Sequence, residues 1–170
     1  MKTCERWANI SSRAGRNDLP ALALEAIFTE SLHRDDWGAA IADAWTMAEW
    51  PSRVVEGNLD MWEYAFDMAT DEGCFLTDEG HQTPRTELGE GLTLWRGCYP
   101  EFSRGMSWTM DREVATWFAK RMNHHEFVGH LYTITIPRDL ILGRFDVRKE
   151  SEFVVAVSDL MDDDVQEVTL

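Results

Sequence analysis

Between Asn17 and Gly73 the apolar residues recur every three or four positions, the period of helices with one buried face. The stretch NDLPALALEAIFTESLH offers Asn17 or Asp18 as a cap and Pro20 in the first turn. Leu22, Ala26 and Thr29 fall on one side of that helix, with Leu24, Ile27 and Phe28 near it. DDWGAAIADAWTMAEW continues with Trp37, Ile41, Ala44, Trp45 and Ala48, and Pro51 stops it. NLDMWEYAFDMATDEG starts at Asn58, carries Leu59, Trp62, Phe66 and Ala69 as a stripe, and closes at Gly73. The aromatic residues at this spacing read as core. Residues 71–91 are rich in glycine, charge and turn formers and read as a loop, with His81 a solvated member of it.

After residue 91 the period falls to two. LTLWRGC reads as a strand, GMSWT as a second short one, and GHLYTITIP alternates Leu131, Thr133 and Thr135 against Tyr132, Ile134 and Ile136. LILGRFDV, EFVVAV and a terminal VQEVTL complete the set. One helix interrupts it, MDREVATWFAKRM over 110–122, with Asp111 and Glu113 in its first turn and Lys120 and Arg121 in its last, as the helix dipole favours. The expected fold class is therefore α+β: a helical region over 1–75, a linker over 76–91 and a mostly antiparallel β-rich core over 92–170.

Composition narrows the function. The chain has 170 residues, 44% of them hydrophobic, and a net charge of −15. The charge disfavours sequence-independent nucleic-acid binding, which rests on Lys and Arg. It suits a solvated surface, or an acidic face for a basic partner. No apolar run is long enough to span a membrane, and MKTCERWANISS is too polar for a secretory signal. The three cysteines form no C-x-x-C pair, so neither a disulfide framework nor a zinc site is expected, and the simplest compartment is the cytoplasm. The adjacent His124 and His125 read as a loop pair.

Three polar features interrupt the β half. Arg96 sits in a strand beside Leu94 and Cys98, where it either pairs with a carboxylate or waits for an anion. Gly97 after it would let a ligand approach the backbone. Ser107 and Thr109 share a strand face. Thr109 is also placed to cap the following helix, whereas Ser107 has a hydroxyl free to orient another side chain. Glu150 and Glu152 open a buried strand and, by alternation, share a face with Val154 and Ala156. They are either solvated at a frayed strand start or a carboxylate pair whose proton affinities are driven apart, as acid–base chemistry requires.

Taken in order, Arg96 in LWRG, Ser107-Trp108-Thr109 in GMSWT and Glu150-Ser151-Glu152 in KESEFVV resemble the Arg–Ser–Glu clade of the mono-ADP-ribosyltransferases, in its compact bacterial and phage type. The resemblance covers residues 92–157. Ser-Trp-Thr stands where Ser-Thr-Ser is common, and the helical residues match no motif of the family. The resemblance implies a split antiparallel β core, NAD as co-substrate, no metal, and a macromolecular acceptor, for which the negative charge favours protein over nucleic acid. Arg96 would hold the NAD pyrophosphate or adjacent ribose. Ser107 would orient Glu152, the catalytic glutamate, and Thr109 would support the nicotinamide pocket. Glu150 would activate the acceptor, a position that goes with arginine acceptors in the family. Trp117 or Phe118 would contact nicotinamide, although both also read as core. Two other readings stand beside this one: an NAD glycohydrolase with water as acceptor, and a catalytically silent acidic binding or inhibitor protein, or nucleic-acid mimic, on the same fold.

Overall fold

The structure, a computed structural model, describes residues 4–121 and 123–170. Residues 1–3 of the polar amino-terminal stretch and Met122, the expected last residue of the 110–122 helix, lie outside the described residues. The fold is α+β, with helices first and a mostly antiparallel sheet after them. The chain divides into two compact units, Met1–Pro84 and Arg85–Leu170. Among the described residues no helix is long and apolar enough to cross a membrane.

The first unit holds α1 (Trp7–Ser11), α2 (Leu19–Phe28), α3 (Trp37–Met47) and α4 (Asp60–Ala69). Its core is aromatic. Trp45 of α3 meets Trp62 of α4 edge-on at 5.2 Å and Phe66 at 5.7 Å, the arrangement that ring quadrupoles favour. Ala23, Leu24 and Ile27 of α2 are buried, so its inner face is centred there; Thr29, expected on that face, is exposed. Asp18 precedes α2, but its side chain makes no capping bond. Trp7 anchors the amino-terminal segment by donating from Nε1 to Asp43 Oδ2 at 2.8 Å.

Residues 71–91 are not simply a loop. β1 (Cys74–Leu76) and β2 (Gln82–Pro84) pair antiparallel, and Phe75 and Leu76 are buried. Strands of three residues are too short to display alternation against a background of Gly and charge. At the hairpin tip Gly80 has φ +76° and lies on the backbone of α3. A Cβ there would meet the Gly38 carbonyl carbon at 2.1 Å, so only glycine fits.

The second unit holds β3 (Gly91–Cys98), β4 (Ser107–Thr109), α5 (Arg112–Arg121), β5 (His130–Pro137), β6 (Ile141–Phe145), β7 (Glu152–Val155) and β8 (Gln166–Val168). Its strands lie in the order β6-β7-β4-β3-β5-β8, each neighbouring pair antiparallel. The β3–β5 register pairs Leu92 with Ile136, Leu94 with Ile134 and Arg96 with Tyr132, which gathers the apolar residues on one face. On the other face Trp95 pairs with Thr133 and Gly97 with Leu131. There α5 packs so closely on Gly97 that a Cβ would meet Ala115 O at 1.9 Å and Ala119 N at 2.4 Å.

Candidate active site

Strand register builds the site. On β4 and β7, Thr109 pairs with Glu152 and Ser107 with Val154, while Trp95 of β3 pairs with Thr109. Paired side chains share a face, so Trp95, Ser107, Thr109 and Glu152 all stand on the side that α5 covers at Gly97. Ser107 and Glu152 are diagonal neighbours there, and Ser107 Oγ donates to Glu152 Oε1 at 2.6 Å. A hydroxyl bonded to a carboxylate at this length is a charge-assisted contact that fixes the carboxylate's orientation.

Glu150 does not share Glu152's strand. β7 begins at Glu152, and the alternation expected from Glu150 onward fails because Lys149 and Ser151 both have left-handed backbones, φ 56° and 43°. Glu150 instead directly follows a tight turn, closed by Lys149 N donating to Asp146 O at 2.8 Å. Thr109 Oγ1 holds the chain after this turn, donating to Glu150 O at 2.7 Å and accepting from Asp111 N at 3.0 Å. One hydroxyl thus ties the Glu150 turn to the start of α5. The helix cap itself is Asp111, whose Oδ1 accepts from Glu113 N at 2.8 Å and Val114 N at 3.3 Å.

The two carboxyls remain electrostatically coupled. Burial, and then the charge of Glu152, push the Glu150 carboxyl above the usual glutamate range; Arg148 and Arg121 pull it down but do not prevail. Arg121 and Arg148 therefore belong to the neighbourhood of Glu150. Arg148 stands two residues before Glu150 in the sequence, which announces it, whereas Arg121 reads there only as a helix-dipole residue.

Arg96 stands apart from the carboxylates. Alternation turns it to the face opposite Trp95, with Leu94 and Cys98. Its Nε donates to Phe102 O at 3.0 Å and an Nη to Ser107 O at 2.6 Å. It meets backbone carbonyls rather than a glutamate. The guanidinium lies against Gly105, where a Cβ would sit 2.3 Å from Nη2. β3 and β4 share a single pairing position, Trp95 with Thr109, and Arg96 bridges the two strands beyond it. Burial pushes the neighbouring Cys98 thiol up, against the opposing pull of Arg96.

Two further expectations change. The space over Gly97 is filled by the α5 backbone, so the missing side chain serves helix packing rather than the approach of a ligand. Trp117 is not core. It is 56% exposed, packs edge-on against Phe118 at 5.0 Å and lies under the Arg121 guanidinium at 5.0 Å. Phe118 is half-buried, with Arg121 5.6 Å from its ring. Arg121 relates this shelf to Glu150, since it lies over both rings and its charge acts on the Glu150 carboxyl.

The arrangement offers an oriented carboxylate, a second carboxyl with raised proton affinity, and two cations beside it. Among the described residues no three His, Cys, Asp or Glu side chains gather as metal ligands. No family model, curated protein or solved structure matches the chain.

Proposed function

We propose that the second unit breaks the nicotinamide–ribose bond of NAD and transfers ADP-ribose to a macromolecular acceptor, a protein and in particular an arginine side chain. The observation that carries this reading is the 2.6 Å bond from Ser107 to Glu152 beside a glutamate with raised proton affinity. Two carboxyls in two environments suit two roles.

Loss of nicotinamide leaves positive charge on the ribose, as in glycoside cleavage, and an oriented anion stabilises it most where water is excluded. Glu152 is that anion and Ser107 is its positioning residue. As the acceptor nitrogen bonds to the ribose carbon that nicotinamide leaves, its proton passes to Glu150, for which a raised proton affinity is an advantage. Thr109 keeps the Glu150 turn in place. Arg121 and Arg148 supply positive charge for the pyrophosphate. In this reading Arg96 fixes the backbone of Ser107, and a phosphate held by Arg96 has to share the donors now given to Phe102 and Ser107.

The test is incubation of the full chain with labelled NAD and cell lysate. A labelled protein band that is lost in Glu152→Gln supports transfer. Release of nicotinamide without a labelled band makes water the acceptor. A protein that leaves NAD intact under all conditions overturns the reading.

A further inference from the structure

The helix α4 carries two apolar stripes, and the core uses only one. Trp62, Ala65, Phe66 and Ala69 are buried. Met61, Tyr64 and Met68, spaced i, i+3 and i+7, form a second line; Met61 is 37% and Tyr64 60% exposed, and Met68 is half-buried. With Phe28 at the end of α2 they line a cavity of about 480 Å³, rimmed by Glu30 and Asp60. Phe28 and Tyr64 pack at 5.8 Å to form its aromatic wall.

Among the described residues, the charged side chains that line this groove, Glu30 and Asp60, are both acidic. The first unit has six Lys and Arg against sixteen Asp and Glu, a net charge of −10, whereas the second has ten against fifteen, net −5. The described arginines of the first unit are engaged elsewhere. Arg6 pairs with Asp36, Arg13 with Glu5 and Arg16 with Glu49, while Arg34 and Arg53 stack on Trp37 and Trp50. No ion pair among the described residues involves Glu30 or Asp60. A helix stripe at i, i+3, i+7 is shaped to meet the apolar face of another helix, and methionine adapts to the side chains it receives.

We propose that the Phe28–Met61–Tyr64–Met68 groove docks a basic amphipathic helix of a partner protein, its apolar face in the groove and its Lys or Arg residues against Glu30 and Asp60. The groove and the carboxylate pair belong to different units, so docking stands whether or not the chain turns over NAD. The acidic rim selects against a second copy of this chain, whose own groove carries the same charge.

Isothermal titration at physiological salt tests it. The probe is a synthetic peptide of about 20 residues, with Leu on one helical face and Lys elsewhere. Its control has the same composition in an order that scatters the Leu residues. The full chain is expected to bind the amphipathic peptide about tenfold or more tightly than the control, since the apolar anchors add to the shared charge attraction. Tyr64→Ser combined with Met61→Ser is expected to erase that preference while leaving the weak binding of the control. Equal affinity for the two peptides, a preference that survives the double substitution, or no binding at all overturns the proposal. So does a dimer of the free chain in sedimentation that the double substitution dissociates, because the groove's occupant is then a second copy. Circular dichroism confirms that the variant is folded.

Discussion

Ser107 Oγ and Glu152 Oε1 lie 2.6 Å apart across one diagonal step of the β4–β7 pair, on the sheet face that α5 covers. A bond of this kind contributes about 1.5–3 kcal/mol, and its use here is orientation. Ser107→Ala is expected to lower kcat for nicotinamide release about 10- to 100-fold, with KM for NAD held within about threefold. Ser107→Thr keeps the hydroxyl and is expected to recover part of the loss. A purely structural role for Ser107 predicts parallel loss in both variants, tracked by a lowered melting temperature.

Glu150 carries a linkage prediction. Its folded-state proton affinity is raised, so it stabilises the fold at pH values below the usual glutamate range. That contribution is lost as pH rises through the raised value, above which an ionised Glu150 opposes folding. Glu150→Gln is therefore expected to raise the melting temperature at high pH relative to wild type, with the gain shrinking as pH falls into the usual glutamate range. The same variant is expected to lose transfer to protein while keeping nicotinamide release. Equal loss of the two activities removes Glu150 from acceptor activation.

Arg121 tests the electrostatics from the other side. It pulls the Glu150 carboxyl down against burial and Glu152. Removing it in Arg121→Ala is expected to move the acid limb of the pH–rate profile for transfer to higher pH. Arg121→Lys keeps the charge and is expected to leave the limb nearly in place. An unchanged limb in Arg121→Ala dissociates the profile from Glu150. The substitution also uncovers the Trp117 ring.

The parts of this site that were legible in the sequence follow from strand period. Ser107 and Glu152 stand out as polar side chains on short apolar strands, and pairing register brings them together. Glu150 defeats the same argument because Lys149 and Ser151 adopt left-handed backbones without the glycine or asparagine that normally announces one. The partners of Arg96 were illegible for another reason. They are the carbonyls of Phe102 and Ser107, and every residue has a carbonyl. Trp117 fits a helical pattern, but the pattern does not say which side of α5 meets the sheet; Ala115 and Ala119 do, against Gly97. The β1–β2 hairpin was hidden by the shortness of its strands.

Arg96 bridges β3 and β4 where their pairing ends, so its removal is expected to act on stability as well as on chemistry. Arg96→Ala leaves the carbonyls of Phe102 and Ser107 without these donors, at a cost of about 1–3 kcal/mol. Arg96→Lys has one nitrogen in place of a fork and is expected to recover less than half of that. Urea unfolding measures both. If Arg96 acts on NAD alone, both variants retain wild-type stability and lose only affinity for NAD.

Gly97 lies directly against the backbone of α5, and this contact transmits to the site. A Cβ at Gly97 would stand 1.9 Å from Ala115 O and 2.4 Å from Ala119 N, both backbone atoms that cannot rotate away. Gly97→Ala must push α5 off the sheet, at a cost of about 3 kcal/mol or more, or about 6–12 °C in melting temperature. On the same strand, a Cβ at Gly91 would meet nothing within 4 Å, so Gly91→Ala is the matched control and is expected to be near neutral. Displacement of α5 carries Asp111 with it and pulls on Thr109, whose hydroxyl holds the Glu150 turn. Gly97→Ala is therefore expected to reduce transfer more than nicotinamide release, below its melting transition. If the two activities fall together, α5 supports the sheet without positioning Glu150.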